Sequence, residues 1–460
     1  MREAWSESPY GLHINATVGP QPSNHGTKNQ DDVILYGHLS AVFVLTVIGV
    51  STSTNTAACS AIAAPPGYEQ SGLILTDGII DGVKTRCILD TGSTVTVVDP
   101  TLSRRFTSNN SKLLKARLPS AVKTVKAFEN VKVGFEGFPA IQTTVVELDL
   151  ESIQAIVGTE MRGVIGMDLL ASRVLIFGGV EPVFSKSLPE STKGYKRVPL
   201  DFHLSCPVLP LTLPVVGNRN FKVDTGNNGC LDIDTKLADI LVRSGQAVEA
   251  GRLQTSDGSG ARMNRAIVIK EISFLGTKFP NVFAMVGDVN QIGIPLLSRF
   301  ELAFDFPNKC CFIGDATELD TSPFPVDASG LRIVFRSTAS LVVLNVEDES
   351  PGAIGGVKNG DEVLRLDGKI PSELTRDLLC EIKAQEGKTI QLSLQRGNEV
   401  KEVDILLKRR FEYPPKWRSS TVDDVDFAES LKNQGSARNE ATEIGAMHLN
   451  AKPPGITPAN

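Results

Sequence analysis

"CILDTGSTVTVVD" (residues 87–99) closes an apolar, extended run on Asp90-Thr91-Gly92. All three residues form turns readily. An Asp side chain bonds nearby backbone amides and glycine accepts positive φ, so a strand ending on this triplet needs no chemistry. Recurrence changes that reading. "FKVDTGNNGCLDID" (residues 221–234) repeats the triplet at Asp224-Thr225-Gly226, again behind a β-prone lead. Downstream of the first copy stands "GVIGMDLLASRVLIF", and downstream of the second "NQIGIPLLSRFELAF", which share Ile-Gly, Leu-Leu and Ser-Arg in the same order. Gly166 follows Asp90 by 76 residues and Gly293 follows Asp224 by 69, so two markers keep nearly the same separation in both halves. Chance turns would not do that, and an internal duplication does.

The surrounding texture is short apolar or alternating runs broken by turn signals. "GLILTDGIIDGVKTRCILD" reads strand, turn, strand around Asp81-Gly82, and helical periodicity is scarce before residue 320. The first large region is therefore expected to be mainly β, as one closed barrel-like core or two. A length of 460 residues allows about three domains, and 41% hydrophobic content is ordinary for packed cores. A net charge of −6 without a sustained basic cluster argues against nucleic acid as a partner. The five histidines are scattered and no Cys/His spacing matches a zinc site, so neither metal nor other cofactor is expected.

With both DTG copies and both Ile-Gly segments in view, roughly residues 70–315 resemble the aspartic peptidases, and more closely their retropepsin-like branch. In that family each half carries two hydrophobic residues before Asp-Thr-Gly, and later a hydrophobic-hydrophobic-Gly segment that passes beneath the Asp loop. Val164-Ile165-Gly166 fits the second element; in Gln291-Ile292-Gly293, Gln291 breaks the apolar pair. The 134 residues between Asp90 and Asp224 suggest compact halves, like two retropepsin protomers joined in one chain. The resemblance implies a mainly β fold of duplicated acid-protease barrel halves, residues 70–190 and 191–315. It also implies an aspartic endopeptidase in which Asp90 and Asp224 are the catalytic pair. Amide hydrolysis without metal or covalent nucleophile needs a base for the water and an acid for the carbonyl or leaving nitrogen. Two facing carboxylates that share one proton supply both, a pattern known from aspartic proteases generally.

The same resemblance gives Thr91 and Thr225 the task of bracing the loops, and Gly92 and Gly226 that of permitting tight turns and close approach. Ser93 and, at the corresponding place, Asn227 are each able to donate a hydrogen bond to the neighbouring carboxylate. Lys222 stands in a lead-in position that is normally apolar. The alternative to turnover is a silent scaffold of protease fold that binds peptides. A water-excluding flap is expected at "QTSDGSGARMN", with Gly258 and Gly260 near its tip; in the first half "LPSAVKTVKAF" has no glycine there, and its flap stays open to question.

Residues 1–63 read as an N-terminal extension. The twelve-residue apolar run Leu39–Val50 and the small-residue stretch after it, with Ala61-Ile62-Ala63 as a cleavage site, suit an export signal, hence a periplasmic or cell-envelope protein. An uncleaved membrane anchor and lipid attachment at Cys59 are the alternatives. Residues 1–32 carry two basic and four acidic residues, the opposite of a signal's leading charge, which points to a later natural start. Seven cysteines leave at least one thiol unpaired.

Around residues 316–326 the chain turns polar and proline-rich, as a linker does. Residues 327–412, with Asn359-Gly360-Asp361-Glu362, closely resemble a bacterial-type PDZ domain. Leu374, Leu378 and Ile382 fall on one helical face; Ile390, Leu392, Leu394 and Val403, Ile405, Leu407 alternate as strands around Arg396-Gly397-Asn398. Such a domain adds an extended peptide to a sheet edge and captures its terminal carboxylate. "SGLRIVF" offers loop and strand through Gly330 and Leu331. A PDZ that only packs on the protease is the other reading. Residues 413–460 are polar and aperiodic, so disorder is expected there.

Overall fold

The computed structural model describes residues 34–35 and 72–409, apart from 107–110, 119–121, 137, 158–159, 178–182, 258–259, 315–318 and 338. The apolar run Leu39–Val50, Cys59, Gly258 and the tail 413–460 lie outside the described residues. The fold is mainly β, built as four sheets.

Two of the sheets repeat one topology. In the first half, Leu75–Ile80 and Val83–Leu89 form a hairpin through Asp81-Gly82, both with positive φ. Val83–Leu89 then pairs in parallel with Gly163–Ile165, which on its other side meets Val97–Val98 antiparallel. The strand that ends on Asp90 and the strand that leaves its loop are thus separated by a third, coming from the Val-Ile-Gly segment. The second half does the same. Gly217–Val223 pairs in parallel with Gln291–Ile292, which meets Leu231–Asp234 antiparallel. Each sheet curls back on itself. Val122–Phe135 bonds both Leu75–Ile80 and Ile141–Glu147, and Gly260–Phe274 bonds both Cys206–Leu213 and Thr277–Gly287. Strands of 14 and 15 residues are long enough to serve two neighbours in succession.

The halves are joined by a third sheet that the sequence did not advertise. Val174–Phe177 of the first half pairs antiparallel with Leu302–Asp305 of the second, with Val183–Ser185 outside one and Cys310–Ile313 and Lys196–Pro199 beyond the other. These are the strands that follow the two Leu-Leu…Ser-Arg repeats. One continuous apolar core, including Leu89, Ile165, Phe221, Ile292 and Phe304, runs through both halves. The fourth sheet is separate. Its strands, Leu331–Ser337, Ser340–Val346, Glu362–Leu366, Thr389–Arg396 and Glu399–Leu406, lie in chain order, and with helix Arg376–Lys383 they bury their own core around Leu331, Val343, Leu379 and Leu392.

The crossing of loop over strand leaves no room at Gly166 or Gly293. A Cβ on Gly166 would collide with the backbone of Val95, and one on Gly293 with the carbonyls of Gly229 and Asn227. Gly293→Ala is expected to lower stability by about 1–3 kcal/mol through overpacking against backbone that cannot rotate away. Gly287→Ala, where a Cβ meets nothing within 4 Å, serves as the matched control in chemical denaturation.

Candidate active site

Each aspartate is placed by the strand that runs beneath its loop. Asp90 N donates to Ile165 O and Asp224 N to Ile292 O, both at 2.9 Å. The loop then tightens onto its own carboxylate: Gly92 N donates to Asp90 Oδ1 at 2.7 Å, and Gly226 N to Asp224 Oδ1 at 2.9 Å.

The two loops face one another. A Cβ on Gly92 would strike the Asp224 carboxyl and one on Gly226 the Asp90 carboxyl, so each glycine lies directly against the opposite aspartate. Between them the threonines exchange four hydrogen bonds. Thr91 Oγ1 donates to Val223 O and Thr225 Oγ1 to Leu89 O, each at 2.7 Å, while each hydroxyl accepts the other threonine's amide at 3.0–3.1 Å. All four residues of this crossing, Asp90, Thr91, Asp224 and Thr225, are buried.

Burial first, and the neighbouring Asp224 charge second, hold Asp90 well above the usual carboxylate range. Burial also raises Asp224, opposed first by Lys222. Among the described residues no donor bonds the Oδ2 atom of either, and Lys222 Nζ stands 3.4 Å from Asp224 Oδ2. Two carboxyls so placed hold one proton between them more easily than none.

Ser93 and Asn227 do not do what their positions suggested. Ser93 Oγ donates to Val95 O at 2.7 Å, a carbonyl two residues on, which takes up the single hydroxyl proton. Asn227 Nδ2 donates to Asp232 Oδ2 at 3.1 Å and its Oδ1 accepts Gly229 N. Gln291, whose polarity breaks the apolar pair, is wholly buried and donates to the same Asp232 oxygen at 2.5 Å. Asp232 was not singled out by sequence. Its signal was a polar residue eight positions after the DTG aspartate, where the first half has Val98. Burial pushes its carboxyl up to about 8. In the first half the equivalent load falls on Asp168, raised by burial to about 6 despite the hydroxyls of Thr96 and Thr143.

The second-half hairpin, Ala247–Asp257 with Gly260–Phe274, is present, with Asp257 paired to Gly260 at its tip. The first half has its counterpart in the antiparallel pair Ser111–Arg117 and Val122–Phe135. On the PDZ side, Gly330 adopts positive φ, and the amide of the buried Leu331 is bonded by Ser329 Oγ at 3.1 Å. Leu331–Ser337 is the edge strand of its sheet. Helix Glu151–Val157 of the first half packs against that strand. From the PDZ helix, the buried Arg376 donates to Asn228 O at 3.4 Å, two residues past Gly226.

Comparison with known proteins bears on the C-terminal part. Residues 321–407 match the family model of the PDZ domain, and this stretch is a PDZ domain. No curated protein matches the chain. Among solved structures, the photosystem II D1 C-terminal processing protease aligns at 16% identity with a TM-score of 0.17, over 19% of this chain and 24% of that one. The chain therefore spans about a quarter of that protein's length.

Asp90, Asp168 and Asp232 all keep a proton in the fold at pH values where the unfolded chain, with carboxyls near 3.8, has released it. Folding then takes up protons, and stability declines as pH rises through 6 and 8. Asp361, held low by its hydrogen bonds to Arg396, acts oppositely and only below pH 4. The melting temperature is expected to fall from about pH 5 to pH 8, and Asp232→Asn to flatten the upper part of that fall in a thermal-denaturation series.

Proposed function

We propose that the chain is an aspartic endopeptidase in which one water, activated between Asp90 and Asp224, hydrolyses peptide bonds. The observation that carries this reading is the reciprocal crossing of the two DTG loops, each carboxyl lying on the other loop's glycine. A pair with one proton has an ionised member to take a proton from water and a protonated member to give one to the peptide carbonyl or leaving nitrogen. Thr91 and Thr225 hold the pair in register without touching substrate, and Gly92 and Gly226 let it close. The flap of the second half is the hairpin of Ala247–Asp257 and Gly260–Phe274, with Gly260 opening its second strand; Gly258 lies outside the described residues. Ser93 and Asn227 support the loops rather than the carboxylates.

The working division is a barrel half over 70–190, a second over 191–315, and a C-terminal peptide-binding module over 327–412. PDZ domains bind peptides, which supports peptide or protein partners; Gly330 and Leu331 are the proposed carboxylate-end contacts. An export signal within residues 1–63 would put the enzyme in the periplasm or cell envelope, with a membrane anchor there as the variant form.

Asp90→Asn and Asp224→Asn are each expected to lower kcat/KM on a peptide library by roughly 10²–10⁴-fold, the range lost with general acid–base catalysis. Residues acting as a unit are not additive, so the double variant should be scarcely worse than either single one. Mixing the two single variants should restore nothing, since both carboxylates come from one chain. Near-normal turnover by folded Asp224→Asn protein overturns the assignment.

A further inference from the structure

Lys222 lies two residues before Asp224 on the strand Gly217–Val223. Alternate residues of a strand share a face, so Lys222 points to the same side as the aspartate, while Phe221 and Val223 fill the core on the other. Its amine stands 3.4 Å from Asp224 Oδ2 and donates to Gly92 O at 3.2 Å. The side chain is only 12% exposed. In the first half the same offset from Asp90 is occupied by Ile88, wholly apolar and 1% exposed. A site built on repeated loops is thus electrically lopsided: a cation stands beside one aspartate and a hydrocarbon beside the other.

From this geometry we infer that Lys222 is a positioning residue that assigns the shared proton, holding Asp224 as the ionised base and leaving Asp90 as the acid. The inference rests on the peptidase reading above and deepens it. An ammonium within contact of one carboxylate favours that carboxylate's charge more than its partner's, because the interaction falls with distance and neither is screened by water. The other groups facing the pair do not undo this. Cys206, on the adjoining strand Cys206–Leu213, donates to Gly92 O at 3.4 Å, and its thiol is pushed by burial up to about 12, so it stays neutral. Asp232, beyond Gln291 on Leu231–Asp234, would repel charge on Asp224 only once it ionises, near 8. Burial works against the charge on Lys222 itself, yet the ionised Asp224 beside it keeps the amine above its ordinary value. The anchor at Gly92 O ties the same amine to the opposite loop, so charge and placement come from one side chain.

The test uses the full chain with Lys222→Met, which keeps length and removes charge, and Lys222→Gln should the first not fold. The acidic limb of the kcat/KM–pH profile is expected to move up by roughly one to three pH units, the range an adjacent opposite charge produces. Cleavage below that limb should drop at least tenfold. Independently of turnover, titration of selectively ¹³C-labelled Asp carboxyls, assigned with Asp90→Asn and Asp224→Asn, should show Asp224 ionising before Asp90 in the parent. It should also show the Asp224 midpoint rising in the variant. An unmoved Asp224 midpoint in folded Lys222→Met protein, or Asp90 ionising first in the parent, overturns the inference. A parent that cleaves nothing would instead sink the peptidase reading, and the carboxyl titration would still decide what Lys222 does.

Discussion

Thr91 and Thr225 each give a hydroxyl proton to the strand of the opposite half and accept the other's amide, and the rest of the site depends on that exchange. Were the two loops free to part, water would enter and each carboxylate would ionise on its own. Four bonds in a buried crossing forbid it, since breaking any one leaves a backbone amide or carbonyl without a partner at a cost of about 1–3 kcal/mol. The constraint also explains why the two halves share a core and a sheet. Loops locked at the centre require barrels that do not rock against each other, and the Val174–Phe177 to Leu302–Asp305 pairing supplies the second fixed line.

Burial of charge is what this rigidity has to overcome. Among the buried carboxyls, those of Asp90, Asp168, Asp224 and Asp232 are raised by burial. Asp168 and Asp232 are met by hydrogen bonds from Thr96, Thr143, Asn227 and Gln291. The catalytic candidates receive one loop amide each and face one another, and Lys222 stands beside Asp224. Asp168 thus has a hydroxyl on each oxygen and Asp232 two donors on one oxygen, whereas the carboxyls proposed to work are met more sparsely, which favours proton exchange near a working pH.

How much of this was legible depends on whether the interaction was local. The DTG triplets, their paired Ile-Gly segments and the Asp81-Gly82 hairpin are short-range patterns, and strand, turn and passing strand fall where those residues sit. The roles of Ser93 and Asn227 were not legible, because several acceptors lie within reach of each side chain, and which one it bonds, Val95 O two residues on or Asp232 five residues on, depends on the exact turn of the backbone. Gln291 looked like a flaw in an apolar pair because its partner Asp232 is 59 positions away. The first-half hairpin was obscured by the lack of glycine in "LPSAVKTVKAF", although a long twisted ribbon can turn without one. Lys222 was visible as an anomaly, but its distance from Asp224 follows from strand periodicity alone, which makes it the most predictable of the unexpected features.

The PDZ domain is not merely tethered. It has its own hydrophobic core, as a separate domain should, yet Arg376 leaves that domain to bury its guanidinium beside Gly72 and bond Asn228 O, at the end of the second DTG loop. A buried cation cannot leave such a site without stranding the carbonyl it served or being rehydrated. The same domain's edge strand Leu331–Ser337 lies against helix Glu151–Val157, and that helix also touches the strand Ala247–Asp257 of the second-half hairpin. The edge strand of the PDZ domain is thus joined, through one short helix, to the second-half hairpin, while Arg376 of the domain's own helix bonds the second DTG loop. The placement of the PDZ domain and that of the second DTG loop therefore draw on the same set of contacts, so a change at one is felt at the other.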